Sequence, residues 1–133
     1  MKSFLISATT VFLTTLPVLA NEALISSLEN GRWGWPEGKN TCAKNPQTIR
    51  FADNRKTMTI TWDHTHDPAK YNILYFDANT FTSIVERETR TTDAGDRVVW
   101  VLKVKDDTHF CWRRTDWPGY ACTDSLVKCG VGS

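Results

Sequence analysis

The stretch from Asp96 to Trp117, DRVVWVLKVKDDTHFCWRRTDW, leaves this chain the least choice of fold. In an extended chain Val98, Trp100, Leu102 and Val104 fall on one side, and Val99, Val101, Lys103 and Lys105 on the other. The first side is apolar throughout; the second turns charged towards Asp106. Beyond Asp106-Asp107, Phe110, Trp112 and Arg114 share one side and His109, Cys111 and Arg113 the other. Two such runs joined by a polar turn read as an antiparallel hairpin.

The rest of the chain repeats this grammar. Met58, Ile60 and Trp62 alternate with Thr57, Thr59 and Thr61, and Ile49 and Phe51 alternate with Thr48 and Arg50. Tyr71 to Phe76 and Thr80 to Arg90 read as further strands, and Gly31 to Pro36 as an aromatic strand opening between glycines. A last short strand or helical turn lies between Tyr120 and Cys129. Before all of these, Leu24, Ile25 and Leu28 are spaced for one face of a short helix or an ordered arm over 21–29. Nothing after Glu29 carries a long helical period. The chain is therefore expected to be all-β, a small antiparallel up-and-down barrel of about seven or eight strands, because closure removes the exposed edges of a meander.

Residues 1–20 carry Lys2, then a short apolar run broken by Ser7, Thr9, Thr10, Thr14 and Thr15, and end Val18-Leu19-Ala20. That is the pattern of a secretory signal peptide, too short and polar to span a membrane. Residues 21–133 then form a single exported domain, periplasmic or secreted. Removing Lys2 from the 16 basic residues leaves as many as the 15 acidic ones. A balance so near zero argues against nucleic acid or an anionic membrane as the main partner, though it leaves room for a local basic patch. Its four cysteines, Cys42, Cys111, Cys122 and Cys129, suit two disulfides in an oxidising compartment. Three pairings are possible and spacing does not decide among them. The preferred one joins Cys111 to Cys122 across the turn region at Asp116 to Gly119, and Cys42 to Cys129.

Several groups are candidates for a site. Glu86, Glu88 and Arg90 alternate with Arg87 and Thr89, so one strand face would carry two carboxylates and a guanidinium, facing either solvent or Arg113 and Arg114. An ion-pair ladder is the ordinary meaning of such a row; acid/base chemistry would need both carboxylates in one cleft. Of the six tryptophans, Trp62 and Trp100 fall on core faces and Trp33 at a barrel end, whereas Trp35, Trp112 and Trp117 either cover the disulfides and seal a small core or make an aromatic surface beside Arg113 and Arg114. Asp63, His64, His66 and Asp67, with His109 as a further donor, have a metal-like alternation, but a solvated polar turn explains them as well, and no metal or cofactor is assigned. No nucleophile elbow, free cysteine or phosphate-binding glycine loop is present in the sequence.

Gly31-Arg32-Trp33, after a helical arm and at the start of the first strand, resembles the G-x-W opening of lipocalin-like (calycin) barrels, and Thr115-Asp116-Trp117 resembles the T-D-Y motif of that group. The resemblance implies a barrel whose tryptophan packs under the bottom of a cavity. The same arm and G-x-W are similar to small periplasmic protease inhibitors, disulfide-containing barrels whose N-terminal arm enters the target's cleft. The expected protein is a monomer that binds rather than catalyses, and the strand and tryptophan patterns make Trp35, Glu86, Glu88, Arg90, Trp112, Arg113, Arg114 and Trp117 its candidate contact residues. The first expectation is binding or inhibition of another protein in the envelope or outside the cell. The alternative is carriage of a small hydrophobic ligand in a lipocalin-like cavity.

Overall fold

The computed structural model describes residues 8, 16–64 and 67–131. Eight strands follow one another around a closed antiparallel barrel: β1 (Trp33–Gly34), β2 (Gln47–Ala52), β3 (Thr57–Trp62), β4 (Ala69–Asp77), β5 (Thr80–Val85), β6 (Trp100–Asp106), β7 (His109–Arg114) and β8 (Leu126–Lys128). One helix, α1 (Leu16–Glu29), precedes them. Most of the expected leader lies outside the described residues, and its end, from Leu16, is the start of α1.

The central hairpin forms as its alternation requires. Leu102 pairs with Trp112 and Val104 with Phe110, and the inward set Val98, Leu102, Val104, Phe110 and Trp112 is buried. Ile49, Met58, Ile60, Phe81 and Leu126 complete a filled interior. β4 departs from simple alternation: its register slips between Ile73 and Tyr75. Tyr71 and Ile73 face the core before the bulge and Phe76 after it, which leaves Leu74 and Tyr75 exposed at 52% and 60%.

A second departure concerns the expected strand over Thr80 to Arg90. β5 ends at Val85, and Arg87 sits in the left-handed region at φ 65°. Past this reversal the alternation of Glu86, Glu88 and Arg90 no longer describes one face. Glu86 is exposed while Glu88 is buried.

Because successive strands reverse, the turns β2–β3, β4–β5 and β6–β7 gather at one end of the barrel, and the connections after β1, β3, β5 and β7 at the other. α1 closes the first end. Leu24, Ile25 and Leu28 pack into the core, as their spacing predicts. The last carbonyls of the helix, which have no partners within it, meet cations: Lys128 Nζ donates to the Ser27 carbonyl at 2.9 Å and Arg50 Nη1 to that of Glu29 at 2.6 Å. Trp33 lies fully buried above the helix, its Nε1–H donating to the Leu28 carbonyl at 2.9 Å and its ring edge-on to Phe110 at 4.8 Å.

The barrel closes where its strands are shortest. β1 pairs with β8 through Trp33–Lys128 and Gly34–Val127, and with β2 through Trp33–Gln47. The disulfide Cys42–Cys129 lies at this seam, and Cys111–Cys122 holds the excursion after β7 against its strand. Both pairings are those preferred from the sequence. Gly34 is held to glycine by the first of them, because a Cβ there would enter the backbone nitrogen and sulfur of Cys42.

Candidate functional site

At the end of the barrel opposite α1, the strand termini converge on an aromatic bowl. Trp62 ends β3 and faces Gln47, the first residue of β2, across the ladder. Tyr71 comes from the start of β4, Trp100 from the first position of β6 and Trp112 from the middle of β7. Trp35 follows β1, and Trp117 and Thr123 belong to the excursion between β7 and β8. With Ile60 these residues line a cavity of about 360 Å³.

Its walls are organised by ring geometry. Tyr71 stacks on Trp112 at 5.4 Å and 23° between planes. Trp100 stands nearly perpendicular to both, 6.1 Å from Tyr71 and 5.6 Å from Trp112. Trp117 stands edge-on to Trp100 at 6.0 Å. Trp112 also reaches Phe110 at 6.2 Å, so rings run without a break from the bowl to the Trp33 plug.

The bowl's charged rim is internally matched. Glu88, its side chain 1% exposed, accepts from Arg90 Nε at 2.6 Å, Arg90 Nη2 at 2.8 Å and Trp100 Nε1 at 3.2 Å. The bonds from Arg90 outweigh burial and hold the Glu88 carboxyl down to about 2; the same bonds raise Arg90. Arg114 forms a bidentate pair with Asp116, at 2.9 and 2.5 Å. Its guanidinium lies 4.8 Å above Trp100 and 5.2 Å above Trp117, while that of Arg90 lies 5.4 Å above Trp100. Burial pushes the Tyr71 hydroxyl up to about 12. Thus Glu88 stays ionised and Tyr71 neutral near neutral pH, and neither is poised to exchange a proton there.

Of the residues singled out from sequence, Trp35, Trp112 and Trp117 come together in the bowl, and Glu88, Arg90 and Arg114 surround Trp100. Glu86 stands apart, exposed where Glu88 is buried, so the two carboxylates do not share a cleft. Arg113 points to the outer face of the sheet, beside a groove lined by the exposed Leu74 and Tyr75. Among the described residues the metal-like alternation is not assembled. Asp63 pairs with Arg32 at 3.0 Å, His66 lies outside the described residues, and His109 begins β7 at the helix-capped end, 2.9 Å from Asp106. Among the described residues no group of three or more metal-type side chains converges.

Gln47, Ile60, Trp62, Tyr71, Trp100 and Thr123 are the bowl residues that strand patterns alone do not single out as a site. One signal was available: in a meander, the last residue of one strand and the first of the next lie at the same end. Trp62, Gln47 and Trp100 are all such residues. The fold and site therefore define a class, a small disulfide-stapled antiparallel barrel plugged at one end by helix and tryptophan and open at the other through an aromatic bowl. Comparison with protein-family models, with curated proteins and with solved structures finds no match for this chain.

Proposed function

We propose that this is an exported binding protein that takes a small, mostly apolar ligand into the aromatic bowl. The observation that carries the reading is the concentration of five of the six tryptophans, Trp35, Trp62, Trp100, Trp112 and Trp117, around one cavity of about 360 Å³. Ligand pockets have this size and this apolar lining with few polar groups. A two-ring ligand burying about 200 Å² of apolar surface gains about 5 kcal/mol, which places dissociation constants on the order of 100 µM before any hydrogen bond is counted.

The helical plug, the buried Trp33 of the G-x-W and the open opposite end support kinship of form with calycin barrels. Two disulfides suit an oxidising compartment, periplasmic or extracellular, and support the leader read in residues 1–20. No described helix is long and apolar enough to cross a membrane. Native mass spectrometry of the oxidised protein from its own envelope tests the reading. A small adduct lost on denaturation is expected; a bare protein, whose tryptophan emission is also unchanged by small aromatic probes, contradicts it.

A protein-directed role is the second reading, and its support lies away from the surfaces expected for it. Residues 21–29 are packed as a helix with Ile25 and Leu28 buried, and Trp112 is 4% exposed. The outer face of β4 instead presents Leu74 and Tyr75 side by side, next to Arg113 across the groove. Tyrosine and arginine are residue types that anchor protein interfaces. Retention of a specific envelope protein by the immobilised domain, lost on Tyr75→Ala, is the outcome this reading expects.

A further inference from the structure

The apolar character of the bowl leaves one of its side chains unexplained. Gln47 is 3% exposed and shares the inward parity of Ile49 on β2. It lines the cavity, and its Nε2 has no hydrogen-bond partner among the described residues. A buried amide donor without an acceptor is costly, and a leucine or methionine of similar volume would fill the position without that cost. Its place, opposite Trp62 on the ladder, puts an amide in a wall otherwise made of rings, an isoleucine and a threonine.

Charge and shape narrow what this donor can meet. Among the described residues the ions over the Trp100 and Trp117 rings are already matched, Glu88 with Arg90 and Arg114 with Asp116, so an ionic ligand there would meet charges that are paired. A caged cation is disfavoured further, because Arg90 and Arg114 already lie over the Trp100 ring and Arg114 over that of Trp117. The Thr123 hydroxyl is already engaged with the Trp112 amide and the Asp124 carbonyl, which leaves the Gln47 donor as the unmatched polar group of the wall. What fits is a flat, uncharged body with a single oxygen acceptor.

We infer that the bowl selects a neutral, planar ligand of one or two fused rings bearing a carbonyl-type oxygen, and that Gln47 Nε2–H donates to that oxygen while the rings lie against the tryptophans. The inference rests on the small-ligand reading of the bowl and adds to it the ligand's chemical class and the residue that reads it.

Three probes of similar size separate the elements: coumarin, neutral with a ring carbonyl; naphthalene, neutral without one; and 2-naphthoate, charged. Their affinities are measured by equilibrium dialysis on the full, oxidised protein and on Gln47→Met. Coumarin is expected to bind about tenfold more tightly than naphthalene, the scale of one buried hydrogen bond, and at least tenfold more tightly than 2-naphthoate. Gln47→Met is expected to erase the advantage over naphthalene and leave naphthalene binding in place, which also reports that the variant is folded. Equal affinity for coumarin and naphthalene in the unmutated protein, or an advantage that survives Gln47→Met, overturns the inference while the bowl remains a ligand site. If none of the three binds, the small-ligand reading itself is overturned.

Discussion

At the scale of single residues, Glu88 shows how the rim is held. Its carboxylate binds the Arg90 guanidinium through two bonds and the Trp100 indole through a third. Glu88→Gln keeps the volume and loses the charge, and should cost about 2 kcal/mol in urea unfolding at pH 7. The pH dependence has a definite sign. The folded value, about 2, lies below the ordinary 4.5, so this stabilisation is complete above about pH 5 and fades as the pH falls towards 2. The difference between the two proteins should shrink over that window; a constant difference would show that the charge is not what matters. Gly34 is a steric counterpart. A methyl group there collides with Cys42, and Gly34→Ala should lower stability by about 2 kcal/mol or more, read as a fall in Tm. An unchanged Tm would mean that the seam yields more easily than its packing indicates.

At the scale of elements, the parts most legible in the sequence are those where burial and alternation coincide. The hairpin of β6 and β7 and the strand β3 follow their patterns, and the apolar stripe of α1 follows its own. The sequence pattern extends β5 past its end because Glu86, Glu88 and Arg90 continue an even alternation after Val85. What stops it is a left-handed backbone at Arg87, a residue type with no preference for that region. The bulge in β4 was equally hidden, since YNILYF is apolar on both parities and either register buries rings. The β4–β5 turn offers a test of such local strain. Ala78 has φ 48°, a conformation that glycine adopts freely. Ala78→Gly should therefore stabilise the protein by roughly 0.5 to 1 kcal/mol despite the greater freedom of its unfolded chain. A lower Tm would place the turn's preference elsewhere, in the Asn79 side chain that donates to the Val104 carbonyl at 2.7 Å.

At the scale of the whole molecule, closure is the costly step, because the barrel is joined through strands of 2 and 3 residues. The disulfide Cys42–Cys129 spans 87 residues and Cys111–Cys122 spans 11. By loop-closure entropy, the longer bridge should contribute about 2 kcal/mol more. Replacing both cysteines of a pair by alanine and comparing urea midpoints checks this; equal losses would show that strain or packing outweighs chain entropy. The bowl was only half visible beforehand for a reason of the same scale. Alternation tells which face of a strand a tryptophan occupies, but not how far along the barrel it lies. Trp62 and Trp100 therefore read as core, although their positions at strand ends put them at the mouth.

The proposed ligand site is a bowl of five tryptophans, with the sixth as a plug at the far end. The most direct measurement is a two-dimensional 1H–15N NMR titration with coumarin, following the indole N–H resonances of the six tryptophans. The signals of Trp35, Trp62, Trp100, Trp112 and Trp117 should move together along one binding curve. Trp33, bonded to the Leu28 carbonyl at the far end, should stay in place. No movement among the five, or movement confined to Trp33, would contradict that assignment.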